Sequence, residues 1–419
     1  MKTADKISQY ILPTYGRFPI EPSHGKGTEL WDVDGKRYLD FCTGIAVCSL
    51  GHAHPKILST IQNQAAKLMH CSNLYHIPSQ ADLAELIVEQ CIKIPGKMFF
   101  SNSGAEANDG MIKFARKYGS EHPNAKGESR FEILTFNMSF HGRTIGAMSA
   151  TGQDKIKQGF APILSGFSHL PFNDSEALEK AVGDRTVAIM LEPLQGEGGI
   201  HPASIEFLKT IERLCKQHNL LLLLDEVQCG FGRTGELMGW RSFYPELQPD
   251  SISWAKGMGG GFPIGGFWIS DREVGASQSA LSTILGPGSH GSTYGGNPLA
   301  SSVSLSVIST IIEENLLENV NERSEQIKAE ISSWNHPCIQ EVRGTGLLLG
   351  IALVEDALNL PEGTTASIHL CNTMAELGLL VPPAGSNVVR LLPPLNVTAN
   401  EVSEALTLFK QALDDASKG

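Results

Sequence analysis

A chain of 419 residues, 41% of them hydrophobic, can bury a large core and is long enough for one large domain with smaller ones. Its formal charge of −12 argues against a nucleic-acid partner, which needs basic patches, and no run of 18 apolar residues is present to span a membrane. The opening MKTADKISQYILPTYG lacks an apolar signal core, and eight scattered cysteines form no CxxC pair, so the expectation is a cytoplasmic protein with reduced thiols and no metal site.

In chain order, short apolar runs at Met98–Phe100, Ile133–Phe136, Val187–Leu191, Leu220–Leu224 and Ile252–Ala255 predict parallel strands buried on both faces. Amphipathic stretches such as Ala105–Lys117 and Ser204–His218 lie between them as predicted helices. Strand alternating with helix predicts a doubly wound, mainly parallel α/β sheet, in which ligands bind beyond the carboxyl ends of the strands. The residues just past those ends are Ser101–Gly104, His141–Arg143, Glu192, Asp225 and Lys256. The pattern changes at Asn297 and Pro298, an N-cap followed by proline, after which Leu299, Val303, Val307, Ile308, Ile311 and Ile312 recur at helical spacing. Strand-like Leu347–Leu353, a helix near Ser367–Leu377, strand-like Val388–Leu392 and a closing helix from Asn400 predict a smaller α+β domain. The expected organisation is an N-terminal segment 1–58 belonging to the small domain, a large domain 59–297, and a C-terminal remainder 298–419.

Six stretches carry candidate chemistry. FFSNSGAEAND (Phe99–Asp109) reads as strand, turn and helix start, with Ser103 and Glu106 at capping-box spacing. Free N–H groups at such a start bind an anion, and without G-x-x-x-x-G-K-[ST] a single phosphate fits better than a nucleoside triphosphate. In LLLLLDEVQCGFGRTG, Asp225 follows five leucines, and a carboxylate buried there needs a cation or donors. Gly230, Gly232 and Gly235 match the dinucleotide fingerprint, but GELMGW does not open a helix, which spoils the context a nicotinamide site requires. FHGRT (Phe140–Thr144) offers an aromatic, His141 and Arg143, a guanidinium suited to a carboxylate or phosphate. In VVRLLPPL, Arg390 interrupts an apolar run, which predicts a half-buried arginine needing an acid; Glu197 in EPLQGEGG is one candidate among several. SWAKGMGGGFPIG encloses Lys256 in small and apolar residues, where a lysine becomes a usable nucleophile and base. Its glycines are expected to let backbone approach a cofactor. Together these features match the needs of pyridoxal phosphate: a lysine for its aldehyde, backbone donors for its phosphate and a carboxylate for its ring nitrogen.

SNSGAEAN, FHGRT, EPLQGEGG, DEVQCGFGRTG, AKGMGGGFPIG, HGSTYGGNPLA and RLLPPL, in that order, resemble the class III, fold-type I pyridoxal-phosphate aminotransferases, over about Leu12 to Leu408. The resemblance implies Lys256 as the Schiff-base lysine, Asp225 on the pyridinium nitrogen and Phe140 stacked on the ring. It further implies Ser103, Gly104 and Ala105 on the phosphate, His141, Val227 and Gln228 around the ring, and Ser292 and Thr293 reaching the phosphate of the other subunit in a homodimer. YGRFPI, FCTGIAVCSLGHAHP and CSNLYHIP are similar to the acetylornithine group within the class, and Ile45 stands where ornithine aminotransferases carry a tyrosine. The implied reaction moves the δ-amino group of N2-acetylornithine to 2-oxoglutarate; succinylornithine, ornithine, 4-aminobutyrate and acetyl-lysine are alternative donors. Arg143, with Tyr15 beside it, is expected to read the distal carboxylate of both substrates. Arg390 is expected to read the α-carboxylate of glutamate alone, with Glu197 pairing with it between turns.

Overall fold

The computed structural model describes residues 2–275 and 278–417. All five apolar runs become strands of one seven-stranded sheet, ordered from edge to edge as Gly96–Ser101, Gly265–Ser270, Ser251–Trp254, Leu221–Asp225, Thr186–Leu191, Glu132–Phe136 and Phe167–Leu170. Only Gly265–Ser270 runs antiparallel to its neighbours. The leucine run shows why no polar alternation was visible: Leu222 and Leu224 enter one core cluster and Leu221 and Leu223 the other, on the opposite face. The helix Ile205–His218 supplies Phe207, Leu208 and Ile211 to the first cluster, and the helix Gly104–Glu121 supplies Met111, Phe114 and Tyr118 to the second.

Asn297 caps the next helix as expected, its side chain accepting from Ala300 N at 2.9 Å, and Pro298–Glu313 buries Leu299, Val303, Val307, Ile308 and Ile311. Beyond it, Ile339–Thr345, Leu348–Leu353 and Val388–Leu391 form an antiparallel sheet backed by the helices Leu316–Ser333 and Ala366–Leu377, against which the closing helix Ala399–Ala416 packs. The N-terminal strands Pro22–Lys26, Glu29–Asp32 and Arg37–Asp40 form a further sheet, and the C-terminal Leu379–Leu380 pairs parallel to Arg37–Asp40. The two ends of the chain therefore share one sheet beside the large one. Among the described residues, no helix is long and apolar enough to cross a membrane.

Candidate active site

The carboxyl ends of the large sheet surround a cavity of about 240 Å3, walled by Gly104, Ala105 and Asn108, by Phe140–Arg143, by Glu192 and Glu197, by Asp225, Val227 and Gln228, and by Ala255 and Lys256. Every one of the five strand-end segments singled out in the sequence contributes to that wall. Ser103 starts the helix Gly104–Glu121, its hydroxyl accepting from Glu106 N at 3.3 Å. The capping box is displaced by one residue, because the Glu106 carboxylate accepts from Asn102 N (2.8 Å) instead of from Ser103 N. The N–H groups of Gly104 and Ala105 have no acceptor among the described residues and stand free at the positive end of the helix. Two glycines keep this corner open. A Cβ at Gly104 would lie 2.7 Å from Val227, and one at Gly142, where φ is +136°, would lie 2.7 Å from the Ala105 Cβ.

Asp225 is 3% exposed and meets no arginine, so the cost of burying it is offset by three donors. Asn108 Nδ2 (2.7 Å) and His141 Nδ1 (2.8 Å) donate to Oδ2, and Val227 N (3.0 Å) donates to Oδ1. His141 Nε2 is buried with no partner among the described residues, which fits a ring protonated on Nδ1, and Ser253 donates to Asn108 Oδ1 at 2.6 Å. Asn108 was not singled out in the sequence. Its signal was an amide between Ala107 and Gly110 on the sheet-facing side of a helix, where a polar side chain needs a reason.

Lys256 follows the buried strand Ser251–Trp254 and takes φ +45°, a left-handed conformation that costs a side-chain residue about 1 kcal/mol or more. Burial pushes its ammonium below the usual lysine range, against the pull of Glu197. The following glycines do not touch the cavity. Gly260 and Gly261 turn the chain at positive φ, and a Cβ at Gly260 would strike Val307 at 2.7 Å, so their freedom serves the turn and helix packing, not approach to a ligand.

Arg390 departs from the half-buried expectation: it is 1% exposed, because its strand Val388–Leu391 is buried throughout. Glu197 is its acid, accepting from Nη1 at 2.7 Å and Nη2 at 3.3 Å, while Gln228 Oε1 and Pro383 O accept at 3.0 and 2.9 Å. Burial would raise the Glu197 carboxyl, but Arg390 holds it below the usual range. Glu197 and Gln228 line the cavity and Arg390 does not, so the ion pair stands between the guanidinium and the open space. Arg143 is the opposite case, exposed, 5.6 Å above the Phe140 ring, and without a carboxylate among the described residues.

Glu192 was seen only as a residue after a strand and was given no role. Its carboxylate, 6% exposed, accepts from Phe140 N (2.9 Å) and Gly196 N (3.2 Å), and burial pushes it up to about 7. Six expected residues lie outside the cavity wall: Ser103 and Arg390 stand just behind it, and Tyr15, Ile45, Ser292 and Thr293 lie elsewhere. Tyr15, in residues 11–21, which form neither strand nor helix, has an exposed ring with Arg17 5.8 Å from its centroid and does not line the cavity. Ile45 borders a neighbouring apolar cavity of about 760 Å3 with Arg17 and Phe18. Ser292 bonds Asn102 Nδ2 at 3.2 Å, and Thr293 is exposed.

These residues fit pyridoxal phosphate: free N–H groups in a corner that a Cβ would fill, an acid fixed by donors, an aromatic wall and an enclosed lysine. Residues 10–413 match the family model "Aminotransferase class-III". The chain is 43% identical over 410 residues to the acetylornithine aminotransferase of Caldanaerobacter subterraneus subsp. tengcongensis, covering 97% of this chain and 98% of that one. Two solved structures superpose over nearly the whole chain. The ornithine aminotransferase of Toxoplasma gondii, which has partial occupancy of PLP at its active site, gives a TM-score of 0.88 at 28% identity, covering 99% of this chain and 94% of that one. The acetylornithine aminotransferase of Elizabethkingia anophelis gives 0.83 at 28% identity, covering 98% of each.

Proposed function

From the premise that this chain belongs to the class-III aminotransferases, which use pyridoxal phosphate, we propose that it moves the δ-amino group of N2-acetylornithine to 2-oxoglutarate. The products of the two half-reactions are N-acetylglutamate 5-semialdehyde and glutamate. When bound, pyridoxal phosphate supplies an aldehyde that takes up the amino group and a ring that withdraws electrons from the reacting carbon. The chain's own residues do the rest. Gly104 N and Ala105 N, with the Ser103 hydroxyl, hold the phosphate at the helix start. Asp225, locked by Asn108 and His141, keeps a proton on the ring nitrogen, and Phe140, Val227 and Gln228 hold the ring in place. Lys256 Nζ would hold the cofactor covalently and, once the donor amine displaces it and leaves it a free amine, would take the proton from Cδ of the donor, a step to which a positioned base contributes typically ~10²–10⁴-fold.

The observation that carries this reading is the contrast between two arginines. Arg143 is open to the cavity, while Arg390 is closed off by Glu197. A donor with one carboxylate far from its reacting amine needs only Arg143. Glutamate has a second carboxylate beside its amine and needs Arg390 as well, so Glu197 must leave when 2-oxoglutarate enters. Ile45, exposed at the border of that apolar cavity, offers no hydroxyl to a free α-amine and supports an acylated donor. Thr293 serves the partner's phosphate in a cytoplasmic homodimer. Large exposed apolar side chains at Met69, Leu74, Tyr75 and Tyr294 support that assembly, tied to the Thr293 segment through Asn73, which bonds Gly295 O at 2.8 Å.

The test is a panel of amino donors with 2-oxoglutarate as acceptor. N2-acetylornithine should give a kcat/KM at least tenfold above ornithine, 4-aminobutyrate and acetyl-lysine. Any of those, or succinylornithine, outrunning it would reassign the donor.

A further inference from the structure

Glu192 sits where two working parts of the site meet. Its backbone is fixed by the strand Thr186–Leu191, whose six residues are all buried between parallel neighbours. One carboxylate oxygen accepts from Phe140 N and the other from Gly196 N. Phe140 is the aromatic of the cavity wall, and Gly196 immediately precedes Glu197, the acid that closes off Arg390. Gly196 is also packed against Gln228: a Cβ there would lie 2.0 Å from Gln228 Oε1, the atom that accepts from Arg390 Nη1. On the far side of Glu197, Arg343 Nε donates to Gly199 O at 2.7 Å. Glu197 therefore hangs between two anchored glycines.

A brace for two buried N–H groups needs no charge, and a buried acid close to Asp225 is a costly choice for one. An ionised carboxylate differs from an amide in being acceptor-only at both ends, so in that form Glu192 can hold the two separated N–H groups at once. We propose that Glu192 is a positioning residue that ties the aromatic covering the ring site to the loop carrying Glu197, so that the closure of Arg390 and the placement of Phe140 are set together. The loop stays pinned while the Glu197 side chain swings. This rests on the aminotransferase reading above.

The experiment compares wild type, Glu192→Gln, Glu197→Ala and the double variant as cofactor-bound protein, timing the acetylornithine and 2-oxoglutarate half-reactions separately in single turnovers. A glutamine aims an NH2 group at one of the two N–H groups and breaks that contact. Glu192→Gln should change the ratio of the two half-reaction efficiencies about tenfold, and that change should vanish in the Glu197→Ala background. In the cofactor-free protein, amide hydrogen exchange at Phe140 and Gly196 should quicken about tenfold while the strand Thr186–Leu191 stays protected. If Glu192→Gln does not fold, Glu192→Asp, too short to span both N–H groups, should shift the ratio in the same direction. Unchanged exchange, or the same ratio shift with and without Glu197, overturns the tether and leaves the function standing. Wild-type protein that transfers no amino group from any donor overturns both.

Discussion

Asp225 is held by three N–H donors and by no cation, so an amide in its place meets donors with a donor. Asp225→Asn should lower the single-turnover rate with N2-acetylornithine at least a hundredfold, because an amide does not keep the ring nitrogen protonated. Cofactor affinity should fall far less, since the phosphate contacts at Gly104 and Ala105 remain, and equilibrium dialysis against single-turnover kinetics separates the two. Lys256→Ala should bind pyridoxal phosphate without a borohydride-reducible link and lose nearly all transamination. For the two arginines, Arg390→Ala should cripple the 2-oxoglutarate half-reaction and spare the donor half. Glu197→Ala should do the reverse, since an unpaired guanidinium would then face the donor. Equal damage to both halves in both variants would show that Glu197 and Arg390 only brace the fold. At this scale the sequence was most legible where a charged residue interrupts an apolar run, as at Asp225, Lys256 and Arg390. Asn108 escaped because one amide in a helix leaves no such interruption, and around Tyr15 an irregular segment carries no periodicity from which to place a side chain.

Elements were legible where burial on both faces removes every polar residue from a strand. Thr186–Leu191 and Leu221–Asp225 are such strands, and their limits fall within a residue of the apolar runs. Gly265–Ser270 was not foreseen. Its sequence GGFWIS begins with two glycines, which argue against a strand interior, yet both are required by close packing. A Cβ at Gly265 would lie 2.6 Å from Ser103 O, and one at Gly266 would lie 2.8 Å from Phe99 O. The same closeness governs the helix Gly104–Glu121, which sets the phosphate corner. Gly110 faces the Phe267 ring of that antiparallel strand, where an added Cβ would come within 2.2 Å. Gly110→Ala improves helix propensity by about 1 kcal/mol but must push the helix off the sheet, and overpacking costs typically 1–3 kcal/mol. The expected outcome is net destabilisation of up to about 2 kcal/mol in urea unfolding, together with weaker cofactor binding as Gly104 and Ala105 shift. A stabilised variant with unchanged affinity would mean that the helix and sheet adjust freely.

Over the whole molecule, the order of strands and helices was readable, but the closure of Leu379–Leu380 onto Arg37–Asp40 was not, since two residues of pairing leave no pattern in a sequence. Nor was the way Arg233 bridges chain segments, donating from Nη1 to Leu347 O (3.1 Å) and Pro393 O (2.5 Å) while fully buried. Glu226 is buried as completely. It accepts from Gly239 N at 2.9 Å, Trp240 N at 2.5 Å and Trp254 Nε1 at 3.3 Å, and burial pushes its carboxyl up to about 7. That shift has a sign. Between the ordinary 4.5 of an unfolded glutamate and about 7, the folded chain binds more protons than the unfolded one, so stability must fall as pH rises. Each such group contributes at most about 1.4 kcal/mol per pH unit across that window. Glu192 shifts the same way and adds to the slope. His52, raised to about 10 by its bond to Asp40, acts in a later window: its contribution is complete below 6.5 and is lost as pH rises toward 10. Urea unfolding of the cofactor-free protein should therefore show stability declining from pH 5 to 7. Glu226→Gln, which cannot ionise, should be less stable at pH 5 but decline less steeply over the same range, while the fall above pH 7 stays. A variant that keeps the full wild-type slope between pH 5 and 7 would show that Glu226 stays ionised in the fold, held by its three N–H donors.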